Sequence, residues 1–282
     1  MRHYAIAAAL TFIGVFEADL GRADTLGDIL ARGEISLGHR ADAPPFSYTD
    51  ETGAPAGLAV ELCREAITEI REAAGAPDLR VTFTPVSAAE RFDALEDGRI
   101  DLLCGPTTQT LMRRQRVDFS IPYFIDSAGA VMRSGDDGDL DDLLGEAAGV
   151  LAGTTTADIV GDLFSGRDPA VEIRAYETHE QGLAALTDGE IAVYFADQAI
   201  LRYQLGRIRP SVPLVFVDDR FSFEPYALTM KRGDTGLRLA VDTALSRIFA
   251  SGAIDRLIDE ALGAVELTDL TRAIYRIVTL PK

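Results

Sequence analysis

The spacing of apolar residues switches between a period of about two and a period of about 3.6, which predicts alternating strands and helices. Leu79–Val86 alternates as a strand does, and Ile100–Cys104 is a short apolar run typical of a buried strand. Ser87, with Glu90 three residues later, forms a capping-box pattern that predicts a helix over Ser87–Asp97. In the segment Gly57–Gly75, five residues fall on one helical face: Ala59, Cys63, Ala66, Ile67 and Ile70.

The predicted elements form two sets of similar order. With a first strand at Glu34–His39, the first set reads βαβαβ, which predicts a mostly parallel sheet with helices on both faces. The predicted strands of the second set are Gly149–Ala152, Val171–Arg174, Ile191–Phe195 and Pro213–Val217. The predicted later helices are Thr154–Ser165, His179–Asp188, Asp197–Gly206 and the two that close the chain, Thr235–Ala250 and Ile254–Leu262.

Two extended apolar runs, Ser127–Arg133 and Pro225–Lys231, flank the second set. We therefore expect an α/β fold of two lobes joined by a double-stranded hinge. Lobe 1 would contain residues 24–128 and 225–282, and lobe 2 would contain residues 129–224. The acidic stretch Asp136–Asp142 lacks the glycine and glutamate of a calcium-binding loop, so we interpret it as a solvated helix start.

The N-terminus has the pattern of a secretory signal peptide. Arg2 and His3 precede the apolar stretch Tyr4–Phe16, and Gly21-Arg22-Ala23 is a small-x-small cleavage site. The alternative is a membrane helix, but the stretch is shorter than the roughly 20 residues that a span needs. We expect cleavage after Ala23, so that residues 1–23 are removed and the mature protein is exported to the periplasm.

The composition argues against a nucleic-acid-binding protein. The chain of 282 residues has 27 Lys and Arg against 45 Asp and Glu, a formal net charge of −18. Nucleic-acid binding requires a basic patch, and the sequence has no long basic run.

Export favours a disulfide bond between the two cysteines, because the compartment outside the cytoplasm is oxidising. Cys63 lies on the inward face of a predicted helix and Cys104 ends a predicted strand. A Cys63–Cys104 bond is plausible and would contribute roughly 3–4 kcal/mol, although two buried free thiols remain an alternative. Neither cysteine has the companions of a metal site, and we predict neither a metal nor a cofactor.

Enzyme motifs are scarce. The sequence contains no dinucleotide-binding glycine motif, phosphate-binding loop, zinc-protease motif or nucleophile elbow. Only three histidines occur: His3 in the leader, His39 and His179. A catalytic triad of nucleophile, histidine and acid would have to use His39 or His179.

Five groups of motifs occur in order along residues 30 to 263. They are Gly38-His39-Arg40 through Pro44-Pro45-Phe46 with Gly57-Leu58, Gly98–Asp101 through Gly105–Thr108 with Arg113 and Asp118–Tyr123, Ala152–Thr155, Gly189–Asp197 and Glu224-Pro225-Tyr226. Together these motifs resemble the polar amino-acid-binding proteins of bacterial ABC importers, solute-binding protein family 3. Cys104-Gly105-x-Thr107-Thr108 is most similar to the glutamate/aspartate-binding members. The resemblance implies the two-lobed fold of type II periplasmic binding proteins.

The resemblance also implies a binding site for the main-chain groups of an amino acid. Arg113 would hold the α-carboxylate with the helix start at Thr154 and Thr155, where free N–H groups favour an anion. Asp197 would bind the ammonium group. Gly105, Thr107 and Thr108 would be contacts from lobe 1, whereas Pro106 replaces the serine of similar proteins and removes one contact. The alternatives are a solvated Arg113 and helix-capping roles for Thr154 and Asp197.

Three further residues align with the cations that bind the distal carboxylate in glutamate/aspartate-binding proteins. They are Arg40, Arg91 and His179. Because the chain carries a net charge of −18, an anionic ligand requires such a local cationic cluster. The alternatives are an exposed helix cation at Arg91 and an ordinary helix-start residue at His179. L-Glutamate or L-aspartate is the expected ligand, with glutamine or another polar amino acid as an alternative.

The resemblance implies as partners an ABC transporter permease and its ATPase, with the binding protein itself a monomer. A second hypothesis is a periplasmic dehydratase on the same fold, which would need a carboxyl group as general acid. Glu224 and Asp126, near the hinge, are its only candidates, and the sequence shows no partner for either. A receptor or channel module is a third possibility, but no membrane span follows the leader.

Overall fold

Strands and helices alternate along most of the chain in a computed structural model that describes residues 24–134, 143–208, 210–217, 219–263 and 269–281. The predicted signal peptide and the acidic stretch Asp136–Asp142 lie outside the described residues. The strands are β1 (Glu34–His39), β2 (Asp42–Ala43), β3 (Ser47–Thr49), β4 (Pro55–Ala56), β5 (Arg80–Pro85), β6 (Leu102–Cys104), β7 (Val117–Phe119), β8 (Phe124–Asp126), β9 (Ala128–Arg133), β10 (Ala147–Leu151), β11 (Glu172–Tyr176), β12 (Val193–Asp197), β13 (Leu214–Val217), β14 (Glu224–Tyr226) and β15 (Thr229–Lys231). The helices are α1 (Thr25–Arg32), α2 (Leu58–Ala74), α3 (Arg91–Glu96), α4 (Thr155–Leu163), α5 (His179–Asp188), α6 (Gln198–Arg207), α7 (Thr235–Ser251), α8 (Ala253–Leu262) and α9 (Asp269–Val278), with a short 3₁₀ helix at Arg113–Gln115.

Two mixed sheets of the same design form the centres of two lobes. The strand orders are β5-β1-β6-β15-β7 and β11-β10-β12-β9-β13. In the first sheet, β1 is parallel to β5 and β6, and β15 is antiparallel to β6 and β7. In the second, β10 is parallel to β11 and β12, and β9 is antiparallel to β12 and β13. The prediction of a two-lobed α/β fold with mostly parallel sheets is confirmed.

The winding of the strands determines where a site can form. In the first sheet the chain runs from β1 through α2 to β5, and then through α3 to β6 on the other side of β1. The second sheet repeats this path from β10 through α4 to β11 and through α5 to β12. Ligands of open α/β sheets bind at the carboxyl ends of strands where the strand order reverses, here beside β1 and β10.

The lobes are connected through a two-stranded antiparallel ribbon. In it, β8 pairs with β14 so that Asp126 lies opposite Glu224. After the ribbon, β8 leads into β9 of the second sheet and β14 leads into β15 of the first. The double-stranded hinge is therefore present. The lobe boundaries at residues 128 and 225 stay predictions.

The predicted extended run Pro225–Lys231 is divided between two strands, β14 and β15. The intervening residues leave the ribbon and bond elsewhere: the N–H of Ala227 donates to the Thr107 carbonyl oxygen and that of Leu228 donates to the Ser120 hydroxyl. The strand therefore changes partners as it enters the first sheet.

The predicted helix over Ser87–Asp97 is shorter in the structure, where α3 begins at Arg91. The capping box is nevertheless present, since the Ser87 N–H donates to Glu90 Oε1 at 3.1 Å and the Glu90 N–H donates to Ser87 Oγ at 3.2 Å. These bonds hold a turn that precedes the regular helix.

The prediction that two helices close the chain is wrong, because α9 follows them. Tyr275 of α9 packs against Phe249 of α7, with ring centroids 4.9 Å apart, and its hydroxyl donates to the Tyr123 carbonyl oxygen at 3.1 Å. Helix α1 and the small sheet β2-β3-β4 were also not predicted.

Lobe 1 contains a disulfide between α2 and β6. Cys63 and Cys104 are both fully buried and bonded, with their Cα atoms 6.0 Å apart. The predicted bond is therefore confirmed, and the alternative of two free thiols is excluded. Around it, Leu37, Leu62 and Leu245 belong to one apolar core, while Val150 and Phe195 belong to the separate core of lobe 2.

No helix among the described residues is both long enough and apolar enough to cross a membrane. The described part of the chain also contains no group of three or more His, Cys, Asp or Glu side chains arranged to hold a metal ion.

Candidate binding site between the lobes

A small cavity lies between the lobes, at the carboxyl ends of the central strands. The space open to the centre of a water molecule is about 20 Å³, so the lobes are closed on each other. Eight of the ten predicted site residues line it, whereas Gly105 and Thr107 do not. The lining is Arg40, Arg91, Pro106, Thr108, Arg113, Leu151, Thr154, Thr155, Thr156, His179, Ala196, Asp197 and Ile200.

Arg91, at the start of α3, is a buried cation with 2% of its surface exposed. Its hydrogen bonds to described residues go to two carbonyl oxygens, those of Ala88 and, at 3.1 Å, of Gly153 in the other lobe. Its Nε is buried and has no partner in the described part of the chain. Burial, with the charges of Arg113 and Arg40, lowers the pKa of Arg91 well below its ordinary value. The alternative of an exposed helix cation is therefore excluded.

Arg113, in the 3₁₀ helix, also bonds to a carbonyl group rather than to a carboxylate. Its Nη1 donates to the Thr108 carbonyl oxygen at 3.0 Å. The guanidinium groups of Arg91 and Arg113 lie 4.5 Å and 5.5 Å from the centre of the Phe92 ring, which holds the two like charges in the same part of the cavity. Burial lowers the pKa of Arg113, and the carboxylates of Glu224 and Asp197 partly oppose that shift.

Arg40, which follows β1, differs from these two because it has a carboxylate partner. Its Nε donates to Asp42 Oδ1 at 2.8 Å, and its Nη2 lies 2.8 Å from the same oxygen. Arg40 is 3% exposed, so this is a nearly buried ion pair. Its charge is largely compensated within the chain.

His179, the first residue of α5, is also buried, and its Nδ1 lies 3.1 Å from the Tyr194 hydroxyl. Burial lowers the pKa of His179 to about 4, with a smaller raising effect from Asp42 and a lowering effect from Arg40. The imidazole is therefore neutral at pH 7. It lines the cavity, as predicted from the sequence, but as a hydrogen-bonding group rather than a cation.

Asp197 ends β12 and lies at the N-cap position of α6, yet its side chain makes no capping hydrogen bond. Its carboxylate instead accepts from the Thr156 hydroxyl at 3.0 Å and from the Tyr226 hydroxyl. Burial and the neighbouring Glu224 carboxylate raise the pKa of Asp197 to about 6. The helix-capping alternative for Asp197 is therefore excluded, and the group is directed at the cavity.

The start of α4 combines a capping threonine and a bridging threonine. The Oγ1 atom of Thr154 accepts from the Ala157 N–H at 3.2 Å, which is the capping alternative. The Oγ1 atom of Thr155 donates to Glu224 Oε2 at 2.7 Å.

Glu224, in the hinge strand β14, collects hydroxyl donors from both lobes. Besides Thr155 of lobe 2, its Oε2 atom accepts from Thr108 of lobe 1, and its Oε1 atom accepts from Ser222 at 2.9 Å. Glu224 is 1% exposed and does not line the cavity. Its hydrogen bonds join the two lobes at the hinge.

Gly105 and Thr107 lie behind the cavity wall. The Gly105 carbonyl oxygen accepts from the Tyr123 hydroxyl at 3.1 Å, and a Cβ atom on Gly105 would lie 3.3 Å from Arg40 Cγ. The Thr107 hydroxyl is buried and has no partner among the described residues. Pro106, between them, does line the cavity.

A wider groove of about 960 Å³ opens beside Asp42, between the β2–β3 turn and helices α5 and α6. Its charged side chains are largely exposed or paired, as Arg207 is with Glu51 at 3.3 Å. None of the buried, uncompensated cations described above lines it. We therefore place the candidate site in the smaller cavity.

Sequence reasoning missed four residues that shape the site: Asp42, Phe92, Tyr194 and Tyr226. Asp42 follows Arg40 by two residues, but only the turn between β1 and β2 brings their charges together. Phe92 is adjacent to Arg91, and this neighbouring position was the one available signal. The two tyrosines lie on strands of lobe 2 and the hinge, and nothing in their local sequence indicates hydroxyl contacts with His179 or Asp197.

The chain is similar in sequence to known amino-acid-binding proteins. The chain is 28% identical over 258 residues to the L-glutamate/L-aspartate-binding protein of Pseudomonas aeruginosa, covering 91% of this chain and 85% of that protein. It is 30% identical over 234 residues to the general L-amino acid-binding periplasmic protein AapJ of Rhizobium johnstonii, covering 82% of this chain and 66% of that protein.

Among solved structures, the chain is similar to the ancestral amino acid-binding protein AncCDT-1, a precursor of cyclohexadienyl dehydratase. The TM-score is 0.73 at 25% identity, covering 84% of this chain and 99% of that chain. The sequence profile of one family matches residues 35–264, which include every residue of the cavity lining. The chain therefore belongs to the bacterial extracellular solute-binding proteins, family 3.

Proposed function

We propose that the protein captures an acidic amino acid, L-glutamate or L-aspartate, between its two lobes and delivers it to an ABC permease driven by its ATPase. The observation that carries the proposal is the pair of uncompensated guanidinium groups, Arg91 and Arg113, which face the carboxylate of Asp197 across one cavity. An unpartnered buried charge costs several kcal/mol, so the unliganded site favours incoming anions.

The charges of the cavity complement an acidic amino acid. Arg40 is compensated by Asp42 and His179 is neutral, which leaves two cations and one anion facing the ligand. An acidic amino acid presents two carboxylates and one ammonium group. Arg113 would bind the α-carboxylate, Asp197 the ammonium group and Arg91 the distal carboxylate, since a guanidinium fork matches a carboxylate.

Neutral hydrogen-bonding groups would complete the site. His179 and the hydroxyl groups of Thr108 and Thr155 line the cavity and can orient the ligand without adding charge. The hydrogen bonds between the lobes support a mechanism of hinge closure, in which the permease recognises the closed form. The similarity to a glutamate/aspartate-binding protein supports the same ligand class.

Export fits this function, because a binding protein of this family must meet its solute outside the cytoplasm. We propose that residues 1–23 are a cleaved signal peptide and that the mature chain is a periplasmic monomer.

A dehydratase remains the second candidate, supported by the similarity to a dehydratase precursor and by Asp126, whose pKa burial raises to about 7. A carboxyl group with such a pKa could serve as a general acid. However, neither Asp126 nor Glu224 lines the cavity, so neither reaches a ligand held there. Binding without chemistry is therefore the better-supported function.

Titration calorimetry on residues 24–282, unfolded and refolded to remove carried ligand, tests the proposal. L-Glutamate and L-aspartate should bind, and L-glutamine, which replaces one carboxylate by an amide, should bind roughly 10–100-fold more weakly, because a hydrogen bond to a charged group contributes about 1.5–3 kcal/mol. A neutral amino acid such as L-leucine serves as the control. Equal affinity for glutamate and glutamine, or no binding at all, would refute the assignment.

A further inference from the structure

The Tyr226 hydroxyl lies between two carboxyl groups at the hinge. It donates to Asp197 Oδ2, and the same hydroxyl is 3.3 Å from Asp126 Oδ2. Tyr226 is fully buried on β14, Asp126 ends β8, and Asp197 ends β12 of lobe 2. The cluster therefore connects the hinge ribbon directly to the group that we propose binds the ligand's ammonium.

If both carboxyl groups are ionised, the cluster has one hydrogen atom for two hydrogen-bond contacts. A tyrosine hydroxyl carries a single hydrogen, and an ionised carboxylate only accepts. Since that hydrogen is directed at Asp197, the contact between Tyr226 and Asp126 becomes a hydrogen bond only if Asp126 carries a proton and donates it to the tyrosine oxygen. An added proton thus satisfies both contacts.

The surrounding charges favour Asp126 over Asp197 as the protonated group. Asp197 faces the cavity, where the positive charge of Arg40 favours its ionised form. The negative charge of Asp197 in turn favours the charged forms of Arg91 and Arg113. No guanidinium is among the main groups that shift the pKa of Asp126. The Asp126 carboxyl group accepts hydrogen bonds from the backbone N–H groups of Ser127 at 2.8 Å and of Ala199 at 3.1 Å, which favour its ionised form.

The effects that oppose ionisation of Asp126 outweigh those two donors and the Tyr226 hydroxyl, which also favours the ionised form when it donates to Asp126. Loss of hydration by burial comes first and the negative charge of Asp197 second, and together they raise the pKa of Asp126 to about 7. Other acidic side chains also act on this cluster. They are Tyr226 and Glu224 on β14, and Tyr123 and Tyr194, which interact with Asp197. Asp126 therefore retains its proton at a pH at which an exposed aspartate has lost it.

We propose that Asp126 is a positioning residue that stores one proton against Tyr226 in the ligand-free protein and releases it to solvent when a ligand ammonium group docks against Asp197. The proposal rests on the proposed function for its ligand. The incoming positive charge replaces the proton's charge in the cluster, the Asp126 O–H bond breaks, and a buffer base takes the proton. Binding should therefore strengthen as pH rises through the range in which Asp126 titrates.

The first test needs no ligand. The free energy of unfolding is measured by denaturant between about pH 4 and pH 8 for the wild type, Asp126→Asn and the control Asp188→Asn, which changes an exposed aspartate on α5. Because the folded protein binds the Asp126 proton more tightly than the unfolded chain does, the folding constant of the wild type should fall relative to Asp126→Asn as pH rises from about 4 to about 7, by up to about tenfold per pH unit. Asp188→Asn should follow the wild type.

The second test measures the proton on binding. L-Glutamate is titrated near pH 6.5 in two buffers of different ionisation enthalpy. The wild type and Asp188→Asn should release more protons than Asp126→Asn, and their affinity should rise more steeply with pH. The release that remains in Asp126→Asn comes from Asp197, whose own pKa is raised to about 6.

The outcomes separate the two claims. Parallel stability profiles for wild type and Asp126→Asn would show that Asp126 carries no stored proton and would overturn the inference. Glutamate binding with no proton release, or with equal release in Asp126→Asn, would overturn the linkage and leave the proposed function intact. An absence of binding to any amino acid would overturn the proposed function and the linkage with it, while the stability profiles would still decide where the proton lies.

Discussion

Arg40 and Arg91 are two equally buried guanidinium groups with different partners. Arg40 is 3% exposed and Arg91 is 2% exposed, but Arg40 has a carboxylate partner at 2.8 Å. The hydrogen bonds of Arg91 to described residues go to carbonyl oxygens, and its guanidinium lies over a neighbouring ring. The negative charges of Asp197 and Asp42 act on Arg91 without a direct ion pair among the described residues. Burial by itself therefore does not distinguish an arginine that is available to a ligand from one that is paired within the chain.

The sequence could predict that these residues gather at one site, but not their charge states. Recognisable sequence patterns lie next to or include Arg91, Arg113 and Asp197. The winding of the sheets brings these patterns together at one cavity. The charge of Arg40 is compensated because a turn brings Asp42 next to it, and His179 is neutral because the fold buries it. No local sequence pattern specifies either of these features.

His179 provides a prediction at the scale of one residue. Its pKa is lowered by burial to about 4, against 6.5 for an unperturbed histidine, so the unfolded chain binds a proton that the folded protein excludes. The stability associated with neutral His179 is fully present above about pH 6.5 and is lost as the pH falls towards 4.

We expect the free energy of unfolding of the wild type, relative to His179→Gln, to decrease by about 3 kcal/mol between pH 6.5 and pH 4. Chemical denaturation across that range measures it. The effect has the opposite sign to that of Asp126, which is why each is measured against its own variant. A pH-independent difference between wild type and His179→Gln would show that the imidazole titrates normally.

At the scale of elements, regular spacing decided what could be predicted. Strand β1 and helix α5 have the predicted bounds, because each is a complete run between clear turn or capping residues. The strands of the β2-β3-β4 sheet are two or three residues long and are too short to show a period. Helix α9 was missed although Ile274 and Val278 are four residues apart, a spacing that does indicate a helical face.

The bond between α2 and β6 gives a prediction at this scale. Cys63 and Cys104 are 41 residues apart, and closing a loop of that length should stabilise the fold by about 4 kcal/mol in the chain-entropy estimate. Denaturant unfolding with and without reductant should show that loss. The double variant Cys63→Ala/Cys104→Ala is the matched control, and it should not respond to reductant. An unchanged wild-type midpoint after verified reduction would contradict the estimate.

At the scale of the whole molecule, contact between the lobes depends on Gly153. Its φ of 72° lies in the left-handed region, and a Cβ atom there would lie 2.8 Å from the backbone Cα of Ala89 in the other lobe. The Gly153 carbonyl oxygen also accepts from Arg91. Glycine thus allows the backbones of the two lobes to approach each other closely at this point.

Gly153→Ala should therefore oppose closure and weaken every amino-acid ligand together, by roughly tenfold or more, because forcing an extra methyl group into a packed contact costs about 1–3 kcal/mol. The left-handed conformation should lower the stability of this variant as well, since it costs an alanine about 1–2 kcal/mol. Calorimetry and the change in radius of gyration on ligand addition measure affinity and closure. Gly161→Ala, within α4 and without neighbours near its Cβ, is the control; it should keep affinity and gain about 0.5–1 kcal/mol of stability. Unchanged affinity in Gly153→Ala would mean that the binding form does not use this contact.

The central claim is that the uncompensated charge of Arg91 selects a second carboxylate on the ligand. It is tested most directly by a cycle in which the dissociation constants of L-glutamate and L-glutamine are measured for the wild type, Arg91→Gln and Arg113→Gln, each refolded and checked by circular dichroism. We expect Arg91→Gln to weaken glutamate roughly 10–100-fold more than glutamine, because only glutamate loses a charged partner. Arg113→Gln should weaken both ligands equally, since both carry an α-carboxylate. Equal losses for glutamate and glutamine in Arg91→Gln would contradict the account.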